Sequence, residues 1–130
     1  MKQEPGQGFN LRARIRSFVY AFKGLYAAWA DQHNLWIHSL VAAAVTVAGF
    51  WLQLPRKDWA ILVLTISMVI AAELFNSAIE SAVDLASPDL HPLAGRAKDI
   101  AAAAVLVTAI GAIVVGLLIL GPPLLEKLAL

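Results

Sequence analysis

From Trp59 to Ala72 the chain carries no charged side chain, and without a break it runs into AELFNSAIESAVD, where Glu73, Asn76, Glu80 and Asp84 follow in order. On a helix of about 3.6 residues per turn, Glu80 and Asp84 fall within about 20° of Glu73, and Asn76 lies about 60° away. One carboxylate stripe therefore begins where a membrane-grade apolar stretch has not yet ended. Placing an ionised carboxylate near hydrocarbon costs roughly several kcal/mol. A stripe of three acids is tolerated if a partner group, a bound cation or a water cavity answers it. That requirement makes the stripe the candidate functional site.

The rest of the chain belongs to the same physical class. It has 130 residues, enough for one domain spanning 1–130. Apolar residues make up 60% and charged residues 15%, which is the usage of an integral membrane protein. The absence of cysteine excludes a disulfide framework, a thiolate nucleophile and a zinc–thiolate site. A net charge of +1 argues against a nucleic-acid partner. The first nine residues, MKQEPGQGF, are polar and carry no visible cleavable signal.

Three spans are expected: 35–54, 59–86 and 100–120. Each is long enough for a hydrocarbon core about 30 Å thick, and the second is too long for it, so its acidic half should emerge while still helical. Asp58 is the expected N-cap of the second span, and Gly121-Pro122-Pro123 the expected stop of the third. Ser87-Pro88-Asp89-Leu90-His91-Pro92 breaks the chain before a short polar lead-in, 94–99. Residues 11–30 interleave Arg12, Arg14, Arg16 and Lys23 with aromatic and aliphatic side chains, as a helix lying in the lipid bilayer interface or packed on the bundle does. Trp29, Trp36, Trp51 and Trp59 read as an interface belt. Seven basic residues (Lys2, Arg12, Arg14, Arg16, Lys23, Arg96, Lys98) lie on one side and three (Arg56, Lys57, Lys127) on the other. By the positive-inside rule, the amino terminus and the 87–99 connection face the cytoplasm of a multi-pass plasma-membrane protein.

Carboxylates with Asn and Gln oxygens near one interface suit a hard cation such as Mg²⁺, held by one or two carboxylates plus substrate phosphates. Arg96 and Lys98 beside them suit a polyphosphate such as ATP. Glu73 and Glu80 are about 10 Å apart along a helix axis, so they invite separate roles. Glu73, the deeper, fits a general base for a lipid hydroxyl, and Glu80 fits the metal. Neither GxxxxGK[ST] nor GxGxxG occurs, so a nucleotide site here is not of the soluble designs.

The run from Glu73 through Asn76 and Glu80 to Asp84, followed by His91-Pro-Leu-Ala-Gly-Arg-Ala-Lys98-Asp99, closely resembles the prokaryotic diacylglycerol kinase and undecaprenol kinase family. Phe22-Lys23-Gly24-Leu25, Ala28-Trp29 and Asn34-Leu-Trp-Ile-His38 resemble it too, and the likeness covers about residues 15–120. The resemblance implies an all-α homotrimer with three membrane helices and an interfacial helix per subunit, in which ATP and Mg²⁺ meet a membrane lipid alcohol. By position it implies Glu73 as general base and Asn76 on the substrate side. It implies Glu80 as metal ligand, Lys98 on the phosphates and Asp99 supporting Lys98 and the nucleotide. Tyr20 and Lys23 match interfacial-helix positions near the nucleotide, and Asp89 and His91 match a loop over the adenine. Gln32 stands where the family's diacylglycerol kinases carry a second metal-binding glutamate; a neutral amide oxygen is a weaker Mg²⁺ ligand than a carboxylate, so either the site tolerates it or Asp31 assists. Pro92 and the Asn34…His38 segment resemble the undecaprenol kinase branch more. Diacylglycerol and undecaprenol both stay open as substrates.

Two other classes fit the residues alone. A cation-binding or scaffold oligomer would use the acids as a ring, but gains nothing from Arg96 and Lys98. An inactive kinase relative is the reading that Gln32 suggests.

Overall fold

A computed structural model describes residues 10–89 and 91–129. MKQEPGQGF, with Lys2 of the orientation count, lies outside the described residues, as do Leu90 and Leu130. The described chain is all-helical: α1 (Leu11–Asp31), α2 (His33–Trp51), α3 (Arg56–Ala86) and α4 (Pro92–Leu128). The last three are long and apolar enough to cross a membrane.

Asn10 starts α1 by accepting the Ala13 N–H on its side chain at 3.3 Å. The helix buries none of its residues, as an amphipathic segment facing lipid headgroups requires. It ends at Gln32, whose extended backbone (φ −109°, ψ 107°) serves as both the C-cap of α1 and the N-cap of α2. The corner is held by indole groups. Trp36 Nε1 donates to the Trp29 carbonyl at 2.7 Å, and the two rings sit 5.4 Å apart.

At the other end of α2, Gln53 N–H donates to Phe50 O at 3.1 Å and Leu54 N–H to Gly49 O at 3.1 Å. These two bonds form a Schellman cap, and Gln53 takes the left-handed position (φ 56°) that glycine usually fills. The expected span 35–54 therefore closes three residues early. The expected N-cap at Asp58 is also corrected, because Pro55 is the cap and α3 begins at Arg56. Pro55 has no N–H to satisfy, and its carbonyl accepts from Asp58 and Trp59. Asp58 stays in the first turn, where the helix dipole favours it.

A larger correction concerns the last helix. The lead-in 94–99 and the span 100–120 are one continuous helix, which passes through Pro122 and Pro123 to Leu128. Each proline removes one i→i−4 donor without altering the helical φ, so the break expected at Gly121 is a local loss of two bonds. Beyond it, Lys127 Nζ donates to the Trp51 carbonyl at 2.7 Å and lies 4.6 Å over the Trp51 ring. The ammonium thus answers an orphan carbonyl at the end of α2 and ties the last turn of α4 across the bundle.

α3 packs principally along α4, and α2 packs on the pair. The dry core lies at the α2–α3 turn, where Leu52, Leu54 and Leu62 meet Trp59, Val115 and Ile119. Several hydroxyls within the spans are answered inside their own helices. Thr46, Thr65, Ser67, Ser77 and Ser81 donate to the carbonyl four residues back at 2.7–2.9 Å. Most large apolar side chains on α2, α3 and α4 face outward, including Leu40, Val47, Leu64, Leu106 and Leu118.

Gly49 is the tightest point of the turn. A Cβ there would come within 2.9 Å of the Trp59 ring and 3.2 Å of Leu54 Cδ1. Gly49→Val is expected to destabilise the folded bundle by about 1–3 kcal/mol, read as a lower thermal midpoint in detergent. An unchanged midpoint would show that Trp59 gives way freely.

Candidate active site

The carboxylate stripe on α3 grades from buried to exposed toward the carboxyl end of the helix. Glu73 is 2% exposed and Asn76 7%, while Glu80 is half-buried and Asp84 exposed. This is what a continuous helix leaving an apolar bundle produces. Asn76 Nδ2 donates to Glu80 Oε1 at 3.1 Å, one turn along. That bond fixes the amide, so its Oδ1 is buried and has no hydrogen-bond donor among the described residues.

Glu73 is met from α2. His38 Nε2 stands 3.1 Å from Glu73 Oε1. The approach is a close contact rather than an aligned hydrogen bond, because Oε1 has no hydrogen-bond partner among the described residues. His38 is the side chain that the antiparallel α2–α3 pair brings level with the deepest acid. The signal was present in the sequence, since among the residues of α2 only His33 and His38 titrate.

The phosphate-side candidates gather separately. An open cavity of about 440 Å³ between the end of α3 and the start of α4 is lined by Asp84, Asp89, His91, Gly95 and Lys98, among others. Lys98 pairs with Asp84 across the two helices. The resemblance had Asp99 supporting Lys98, but adjacent helical residues point about 100° apart, and the antiparallel partner supplies the carboxylate instead. Asp99 is exposed and outside this cavity. His91 has a structural task as well: its Nδ1 accepts the Leu93 N–H at 3.2 Å and caps α4, with Pro92 at the first helical position.

A second open cavity, of about 410 Å³, separates α1 from α3. Small residues make it: Ala21, Gly24 and Ala28 on α1 face Ser77, Ala78 and Ser81 on α3, with Asp31 and Gln32 at its edge. Small residues at such helical spacing read, in the sequence, as packing. Tyr20 and Lys23 line neither cavity. They are exposed on α1, with the Lys23 ammonium 6.0 Å from the Tyr20 ring centroid. Gln32, the other metal candidate, is half-buried and makes no hydrogen bond to Glu80.

Among the described residues, no three His, Asp or Glu side chains converge as a metal cage. The donor set nevertheless suits a hard cation of the kind that completes its shell with phosphate oxygens. Glu80 offers a carboxylate, and Asn76 beside it offers a buried, unanswered amide oxygen.

Known proteins match this chain in sequence along most of its length. Residues 19–120 match the family described as prokaryotic diacylglycerol kinase. The chain is similar to the undecaprenol kinase of Bacillus subtilis, at 41% identity over 88% of this chain and 94% of that protein. It is 46% identical to a diacylglycerol kinase of Synechocystis over 85% of this chain and 63% of that protein. It is 34% identical to the diacylglycerol kinase of Escherichia coli over 77% and 82%. With a buried carboxylate at the edge of three membrane-spanning helices and a Lys98-lined cavity beyond it, the chain belongs to the prokaryotic diacylglycerol kinase family and is a membrane lipid kinase.

Proposed function

We propose that the protein transfers the γ-phosphoryl group of ATP to the hydroxyl of a membrane lipid alcohol, diacylglycerol or undecaprenol, at the cytoplasmic face of a bacterial plasma membrane. The observation that carries this reading is Glu73: a carboxylate 2% exposed, on a helix leaving the apolar zone. A lipid hydroxyl is a donor from which such a carboxylate can accept.

In this reading the alcohol O–H lies against Glu73, with Asn76 Oδ1 as a second acceptor at the headgroup. The alcohol oxygen attacks the γ-phosphorus, its proton passes to Glu73, and the bond to the departing ADP oxygen breaks. Glu73 works by position, since holding the reacting oxygen beside an enclosed base removes the entropy of bringing them together. Lys98 is freed from Asp84 to neutralise charge on the phosphates, with Asp89 and His91 bordering the same cavity toward the base. Glu80 would hold Mg²⁺, with Gln32 as a further oxygen, and the ion when bound would screen the phosphate charge. Asp99, Tyr20 and Lys23 are proposed to reach the nucleotide as well.

The two cavities and the outward apolar faces favour a homo-oligomer, a trimer by family likeness, with sites walled by more than one copy. Both the count of basic residues and the run of α3 favour a cytoplasmic 87–99 connection.

Glu73→Gln is expected to leave folding and assembly intact and to lower turnover by about a hundredfold or more, the scale of losing a general base. Near-normal turnover in the purified variant would end that assignment.

Gln32→Glu is expected to lower the Mg²⁺ concentration needed for half-maximal activity, because an anionic oxygen replaces a neutral one. An unchanged or raised requirement would mean that Gln32 does not face the metal.

Mixed assemblies test the shared site. Combining inactive Glu73→Gln and inactive Lys98→Ala protomers should restore part of the activity if the two residues act from different chains. No recovery in assemblies shown to be mixed would place both residues in one chain's site.

A further inference from the structure

We infer that His38 is a positioning residue for Glu73: its imidazole holds Oε1, so that the other carboxylate oxygen is the one offered to the lipid hydroxyl. The inference rests on Glu73 being the base. Three observations carry it. His38 Nε2 is 3.1 Å from Oε1, the two residues come from different helices, and their side chains are 22% and 2% exposed. Oε1 is fully enclosed and otherwise without a hydrogen-bond partner among the described residues. No Lys or Arg among the described residues pairs with Glu73, and the Ser77 hydroxyl nearby donates to its backbone carbonyl rather than to the carboxylate.

The protonation of the ring follows from chemistry. An ionised carboxylate only accepts hydrogen bonds, and a bare Nε2 lone pair at 3.1 Å would set acceptor against acceptor. Nε2 therefore carries the hydrogen whenever Glu73 is ionised. The ring's χ2 torsion is soft, and catalytic hydrogen bonds commonly align when substrate binds. The Nε2–H then fixes the carboxylate plane, which a lone glutamate with three free torsions would not do. During transfer the alcohol proton goes to the free Glu73 oxygen while the alcohol oxygen joins the γ-phosphorus and ADP leaves. His38 keeps its own hydrogen throughout and touches no reacting atom.

The test compares His38→Leu, His38→Gln and His38→Asn, each with and without Glu73→Gln. Assays use purified protein in vesicles with ATP and whichever of diacylglycerol or undecaprenol the wild type phosphorylates faster. His38→Leu should lower kcat about ten- to a hundredfold, the scale of a hydrogen bond to a charged group. The KM values for ATP and lipid should stay within about threefold, since binding is not what the contact serves. His38→Gln carries an N–H to the place of Nε2 and should recover most of kcat, whereas His38→Asn, one methylene shorter, should not. In the Glu73→Gln background, adding His38→Leu should change the residual rate by less than about twofold, because the group being positioned is gone.

The proposal is overturned if His38→Leu keeps full kcat while Glu73→Gln is inactive, or if the two losses multiply. Equal losses in His38→Gln and His38→Leu would also overturn it, by showing that packing alone is served. Should the leucine variant fail to fold, the Gln-against-Asn difference decides the matter. Full turnover in Glu73→Gln would instead remove the base on which the proposal rests.

Discussion

The energetic problem around which this bundle is organised is the carboxylate of Glu73, 2% exposed on a helix whose preceding turns carry no charge. Left alone, an ionised carboxylate there would cost roughly several kcal/mol or pull the helix toward water. Two features hold it in place. α3 has no breaker between Arg56 and Ala86, so the acid cannot leave the bundle without moving the whole helix. α2 runs back alongside and delivers an imidazole to the acid. The chain therefore keeps a carboxylate in an apolar place by geometry set far away, at the hairpin.

That distant end is correspondingly rigid. The Schellman cap at Gln53, the Gly49–Trp59 approach and the leucine cluster fix the angle between α2 and α3. Lys127 adds a second tie, from beyond the two prolines to the Trp51 carbonyl. A small rotation at the hairpin would be magnified along the helices and would separate His38 from Glu73. The opposite end is looser and more polar. It has two open cavities, one beyond the stripe at the α3–α4 connection and one flanking it between α1 and α3. Dry packing at one end with open polar surfaces at the other suits a kinase whose substrates arrive from two phases.

Much of this was legible in the chain. The three apolar runs, the overlong second span and the acid stripe followed from hydropathy and a 3.6-residue period, and α2 and α3 fall where those patterns put them, within a few residues, while α4 runs eight residues beyond the expected third span at either end. The ends were less legible, because a helix end is decided by its caps. Gln53 stands in a position that reads as glycine, Pro55 caps where Asp58 looked the better cap, and Pro122-Pro123 costs α4 two bonds without ending it.

What the sequence determined by itself is which residues share one face of one helix, since that depends on local periodicity alone. Glu73, Asn76, Glu80 and Asp84 form a stripe in the sequence, and they form one in the structure. What only tertiary structure decided is which groups answer that stripe from other helices. His38 for Glu73 and Asp84 for Lys98 are such pairs, as is the facing of α1 alanines against Ser77 and Ser81. Those pairings depend on the axial register and rotation of antiparallel helices. Caps and small-residue packing at the turns set both, and no spacing within a single segment encodes them.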